Sequence, residues 1–178
     1  MQNENKKTYL TETDDLWKKQ VEYIIPFLSG KGVDIGSGIR SLFENDVRVD
    51  IDKKCNPDVC CPADELPFKD GEFDFLYSIH SFEHVENQEK TIKEWARVVR
   101  SGGVIAIIHP DVNYTGVYRP DGLLPGENPY NEHKHENTYD GLLAWFKLQK
   151  NLPLKIVSSG GAIPQFSFYV ILKKDISK

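Results

Sequence analysis

The residues of this chain whose types and spacing could do chemistry are two glycines, a series of carboxylates and a set of histidines. In Val33-Asp34-Ile35-Gly36-Ser37-Gly38-Ile39-Arg40-Ser41 a short apolar run breaks into a turn. Glycine there permits positive φ and lets backbone N–H groups approach a ligand closely. Asp50 lies 16 positions beyond Asp34, close to the roughly 20 at which a carboxylate ending a second strand meets a ribose. Asp64, Ser78 and His109 follow, each at or just past an apolar stretch. Together they suit a nucleotide-like cofactor, although a glycine turn alone also serves ordinary tight turns.

The histidines add proton transfer, because an imidazole with its ordinary pKa of about 6.5 accepts a proton near neutral pH. Of His80, His84, His109, His133 and His135, the expected catalytic bases are His109, which ends an apolar run, and His133, which lies in a long polar segment. His84, within Glu83-His84-Val85, is expected to be structural. The His133-x-His135 pair raises metal chemistry, but Glu132 and Glu136 alternate with it on a loop and no metal is expected. Cys55, Cys60 and Cys61 fit neither a disulfide framework nor paired zinc spacing and read as reduced thiols.

The elements that must position these groups follow from periodicity. Leu16, Trp17, Val21, Ile24, Ile25 and Leu28 recur at helical spacing after Thr13-Asp14-Asp15, and Pro26 ends or bends that helix. Apolar runs at 32–35, 47–51, 56–61, 73–79 and 104–108 read as strands, with only Ser41–Asn45 left for a very short first crossover helix. The clearest helix buries Ile92, Trp95, Ala96 and Val99, with Asn87 as cap and Gly102-Gly103 as close. Tyr139, Leu142, Leu143 and Phe146 resume a helical face, and 154–157 and 166–172 read as antiparallel strands about a turn at Gly160-Gly161.

This alternation predicts an α/β fold: a doubly wound, mostly parallel, seven-stranded Rossmann-like sheet with a terminal antiparallel β-hairpin. Ligands in such sheets lie at the carboxyl ends of the strands, where Gly36, Asp50, Asp64, Ser78 and His109 fall. One domain is expected over 1–178, with 1–12 disordered and 110–137 a substrate cap loop carrying Tyr114, Tyr118 and Tyr130. A net charge of −5 argues against nucleic acid or anionic lipid as partners. No apolar run approaches a membrane span, and the polar start lacks a signal-peptide core, so a cytoplasmic location is expected.

The pieces VDIGSG at 33–38, VDID at 49–52, NPDV at 56–59, ADELPF at 63–68, FDFLYSIHSFEHV at 73–85 and WARVVRSGGVIAI at 95–107 stand in a distinctive order. In that order and spacing the chain resembles a class I S-adenosylmethionine-dependent methyltransferase, most like the group with a shortened first helix that acts on small molecules or glycans. The resemblance implies S-adenosyl-L-methionine as cofactor, held by Asp34, Gly36, Ser37, Gly38, Asp50, Ile51, Ala63, Asp64, Glu65, Leu66, Ser78 and Ile79. Gly36 and Gly38 would leave room for the methionine moiety, and Asp50 would accept both ribose hydroxyls. Asp64 would accept the adenine amino group with the Glu65 or Leu66 backbone near the ring, and Ser78 and Ile79 would border the sulfonium.

The chain departs from the family at Arg40, where many members have a third glycine. The implied reaction is methyl transfer to an oxygen or nitrogen of a small-molecule or glycan acceptor. A nicotinamide-dependent oxidoreductase shares the strand, turn and acid, but wants Gly or Ala where Ser41 stands. A non-catalytic S-adenosylmethionine-binding relative is the other alternative. The sequence carries no signal for oligomeric state.

Overall fold

A computed structural model of the protein describes residues 15–113, 133–164 and 166–176. Seven strands form one sheet in the order β3-β2-β1-β4-β5-β7-β6. They are β1 (Gly32–Ile35), β2 (Val47–Asp50), β3 (Val59–Cys60), β4 (Phe73–Ile79), β5 (Val99–Pro110), β6 (Leu154–Ile163) and β7 (Ser167–Lys174). The first five pair in parallel, while β7 runs antiparallel to both β5 and β6. The expected parallel sheet with a terminal hairpin is therefore present.

Alternation along the central strands sorts side chains onto two covered faces. Leu76, Ile105, Ile107, Val170 and Leu172 pack with Ile92 and Trp95 of α2 (Gln88–Val98) and with Leu142 and Phe146 of α3 (Tyr139–Leu148). Phe75, Tyr77, Ala106, Ile108 and Ile171 pack on the other side with Val21 of α1 (Asp15–Val21) and with Ile24 and Leu28 beyond it. A register shift between Phe73 and Phe75 turns Phe73 to the α2 side with Leu76. α2 forms with Asn87 Oδ1 accepting the Lys90 backbone N–H as its cap, as expected, but it ends at Val98, and Val99 and the Gly102-Gly103 pair expected to close it lie in β5 instead.

Three further local expectations are corrected. The first crossover has no helix: residues 36–46 are turns, with the Leu42 N–H donating to the Tyr77 hydroxyl at 3.0 Å and the Ser41 hydroxyl 3.1 Å from it. Leu42 and Phe43 pack against the sheet where a helix would have lain, so a few apolar loop residues fastened to one buried tyrosine replace it. The first helix ends at Val21, and a separate 3₁₀ turn, Ile25–Phe27, carries Pro26 where its missing N–H costs nothing. Gly160 and Gly161 lie inside β6, paired with Tyr169 and Phe168, and the chain reverses after Ile163 instead. The Thr13-Asp14 helix start and residues 1–12 fall outside the described residues.

Candidate functional site

At the carboxyl ends of β1, β2 and β4 lies a cavity of about 490 Å³. Its floor is the glycine turn. Gly36 has φ +71° and Gly38 φ +53°, and a β-carbon on Gly36 would sit 1.9 Å from the Ser81 hydroxyl, whereas one on Gly38 would meet nothing within 4 Å. The Gly36 and Ser37 N–H groups donate to the Val49 carbonyl at 2.9 and 3.1 Å, which welds the turn to β2.

Asp50, at the end of β2, organises that floor. Its Oδ2 accepts the Gly38 N–H and its Oδ1 the Asp52 N–H, both at 2.8 Å. Each carboxylate oxygen keeps a second lone pair. Buried Arg48 secures the same turn from below, donating to the carbonyls of Gly38 at 2.5 Å and Cys55 at 2.8 Å.

Of the residues expected at a cofactor, Gly36, Gly38, Asp50, Ile51, Ala63 and Asp64 line this cavity. The other six do not. Buried Asp34 sits near Tyr77, Asp46 and Arg48, and burial raises its pKa well above the carboxylate norm. Ser37 is buried with its hydroxyl turned to the Gly38 carbonyl, and Ser78 and Ile79 are buried along β4. Glu65 pairs with Lys90, and the Leu66 N–H already donates to Glu94. The loop that carries Ala63 and Asp64 is fastened to α2, with the Trp95 indole N–H on the Ala63 carbonyl at 2.9 Å.

Beyond the residues assigned to the cofactor, the wall takes in two of the candidate histidines, His80 and His84, with Ser81, Val85 and Glu86 also beyond β4, and Lys134. The rule that ligands lie past strand ends could have found the first five, because they follow Ile79 directly. Nothing in the sequence points to Lys134, whose backbone N–H, with that of His135, donates to the Glu83 carbonyl at 2.9 and 3.0 Å.

This wall is rich in titratable groups. His80 holds a left-handed φ of +52°, a strained conformation for a non-glycine residue. Its Nε2 is 2.8 Å from Gln20 Oε1, and burial with neighbouring histidines lowers its pKa to about 3. Glu83 is 1% exposed, neither carboxylate oxygen has a hydrogen-bond partner, and burial raises its pKa to about 8. His84 Nε2 is 3.7 Å from Glu83 Oε1, and the His84 and His133 rings meet edge to face at 4.9 Å.

The two expected bases are therefore placed differently. His133 is exposed beside His84. His109 is buried, stacked on Phe168, with Nδ1 2.7 Å from the Pro110 carbonyl and Nε2 without a partner. Burial lowers its pKa to about 4. The flanks of the expected cap loop are tied down, Asp111 N–H to the Phe166 carbonyl and Val112 N–H to that of Asn137. Residues 114–132, with Tyr114, Tyr118 and Tyr130, lie outside the described residues. Among the described residues no helix is long and apolar enough to cross a membrane.

Comparison with known proteins fits this geometry. Residues 32–107 match the methyltransferase domain family. An ajmaline N-methyltransferase from Rauvolfia serpentina is 42% identical over 85 residues, 46% of this chain and 26% of that one. An uncharacterized protein of Methanocaldococcus jannaschii is 32% identical over 113 residues, 56% of this chain and 54% of that one. The chain thus spans about half of the second relative and a quarter of the first. The crystal structure of an S-adenosylmethionine-dependent methyltransferase from Mesorhizobium loti superposes with a TM-score of 0.62 at 14% identity, covering 88% of this chain and 98% of that one.

Proposed function

On the premise that this chain carries a methyltransferase domain with the class I fold, we propose that it moves a methyl group from S-adenosylmethionine to an oxygen or nitrogen of a small-molecule or sugar-like acceptor. The observation that carries this reading is the cavity floor, where Gly36 and Gly38 bare their backbone beside the Asp50 carboxylate.

The residues present fit the donor. Asp50 is held by two backbone N–H groups and has lone pairs left for two ribose hydroxyls. Asp64, 3.0 Å from Lys90, offers its carboxylate to an amino group. Ile51, half exposed at 47%, and Ala63 and Val85 give apolar walls for a flat ring. Ser81, packed against Gly36, sets how closely a ligand can approach the turn.

When bound, S-adenosylmethionine supplies an electrophilic methyl group on a sulfonium. The protein's own contribution is to hold the acceptor atom in line behind that methyl, and such positioning accounts for much of the acceleration in transfers of this kind. His80, Ser81, His84 and Lys134 form the polar side toward which an acceptor would be turned. His133 is the proton acceptor in this reading: it is exposed and meets His84, which lines the cavity, whereas His109 is buried. The named reaction of the Rauvolfia relative supports a small-molecule acceptor.

The test is to incubate the protein with methyl-labelled donor and a panel of amines, phenols and sugars. Label transfer with acceptor-dependent release of S-adenosylhomocysteine is expected. Donor binding without transfer to any acceptor would make this chain a binding protein, and binding of NAD in place of the donor would make it an oxidoreductase.

A further inference from the structure

We propose that Glu83, His84 and His133 form a site for one divalent transition-metal ion on the acceptor side of the cavity. A carboxylate oxygen of Glu83 and a ring nitrogen from each histidine all lie within 4.8 Å of one another. One carboxylate with two imidazoles, leaving a coordination position open, is a donor set suited to zinc and its neighbours rather than to calcium or magnesium. An ion about 2.1 Å from each ligand requires the three groups to draw in slightly. His133 is exposed and meets the His84 ring edge to face, so a small shift of its side chain would supply that movement.

The carboxylate gives the second, independent sign. Glu83 is 1% exposed and neither of its oxygens has a hydrogen-bond partner, in a protein interior where buried carboxylates are otherwise paired. What faces it are imidazole nitrogens. Gln20 Oε1 can only accept, so the proton of His80 sits on Nε2 and its bare Nδ1 points toward Glu83 Oε1 at 3.9 Å. His84 Nε2 faces the same oxygen at 3.7 Å. Imidazole nitrogens and a carboxyl group without a hydrogen bond thus converge at separations that an ion can span.

The backbone also fixes the ligand-bearing segments together. The N–H groups of Lys134 and His135 both donate to the Glu83 carbonyl, which brings His133 next to His84 from 49 positions away. The expectation of no metal rested on the His133-x-His135 pair. Here that pair is split, and His84 takes the place of His135 beside His133.

The purpose of the ion rests on the methyl-transfer reading: with His80 and His84 lining the cavity, it would hold an acceptor oxygen and lower the pKa of its hydroxyl, the proton leaving to water. His133 then serves as a ligand rather than a base. The existence of the site does not depend on that purpose.

Chelator-treated full-length protein titrated with Zn²⁺ by calorimetry, and with Co²⁺ for its visible absorption, tests the site. One ion per chain is expected, with a Co²⁺ band that disappears in His84→Ala and His133→Ala. Loss of an outer partner of a metal site weakens binding about 10–100-fold, so loss of either histidine should weaken Zn²⁺ by at least about tenfold. S-adenosylhomocysteine affinity of His133→Ala, an exposed change, should hold. Absence of Zn²⁺ and Co²⁺ binding, or equal affinity in wild type and both histidine variants as for an adventitious ion at Cys60 and Cys61, overturns the proposal. A protein that binds Zn²⁺ at these residues but not S-adenosylhomocysteine would refute the methyl-transfer reading and leave the metal site standing.

Discussion

The two sides of the cavity are built in different ways. The β1–β2 side is made of main chain: two glycines at positive φ, N–H groups bonded to Val49, and one carboxylate held by two further N–H groups. The side beyond β4 is made of side chains drawn from distant segments, Gln20, His80 to Glu86, and residues 133–135. A main-chain site depends on conformation and hardly at all on pH. A side-chain site of buried imidazoles and a carboxylate depends on which of them carry protons.

Gly36→Ala should break the first side most severely. Its β-carbon would fall 1.9 Å from the Ser81 hydroxyl at φ +71°, combining left-handed strain with overpacking. Together these cost about 2–5 kcal/mol, seen as a large drop in the urea midpoint. Gly38→Ala, which meets no neighbour within 4 Å, should lose only the conformational part, about 1–2 kcal/mol. Equal losses in the two variants would show that Ser81 moves aside without cost.

Next in size is Asp50→Ala, which should weaken S-adenosylmethionine by about 1.5–3 kcal/mol, roughly ten- to a hundredfold, because hydrogen bonds to a charged group are lost. On the opposite side, Gln20→Leu should leave the His80 ring N–H and the Ser167 hydroxyl without their shared acceptor and cost about 1–3 kcal/mol of stability. Donor affinity should not change, and a change would mean that the two sides are coupled.

A further effect concerns protons and grows as pH falls. Burial depresses the pKa of His109 from 6.5 to about 4, so the unfolded chain binds the extra proton first. This histidine's contribution is present above about pH 6.5 and is lost as pH falls toward 4, at up to about 1.4 kcal/mol per pH unit. The His109 ring signals should stay those of the neutral form from pH 8 to 5 in NMR, and His109→Asn should flatten the acid-side fall in stability. Titration of the native ring near 6.5 would contradict its burial.

How far the sequence could be read follows the same division. The strand run Gly32–Ile35, the glycine turn and Asp50 are contiguous signals, and β4, α2 and β5 have unambiguous periods. The first crossover was misjudged because its cover comes from Leu42 and Phe43 fastened by Tyr77, a contact 35 residues distant. The reversal after β6 was misplaced because Gly160-Gly161 looks like a turn, while β7 pairing keeps both extended. Leu66 and Ser78 are assigned to the cofactor from motif position, and neither lines the cavity: Ser78 is buried in β4 and the Leu66 N–H donates to Glu94. The histidine cluster was illegible as a unit: His84 and His133 stand 49 positions apart with α2 and β5 between them, and the N–H groups of Lys134 and His135 on the Glu83 carbonyl bring their rings together.

One calorimetric titration of the wild-type protein with S-adenosylhomocysteine, run beside NAD, tests the donor site most directly. One site per chain for S-adenosylhomocysteine and no heat with NAD is the result predicted by the Gly36–Gly38 floor and the Asp50 carboxylate. Absence of S-adenosylhomocysteine binding in the folded protein, or preference for NAD, would contradict it.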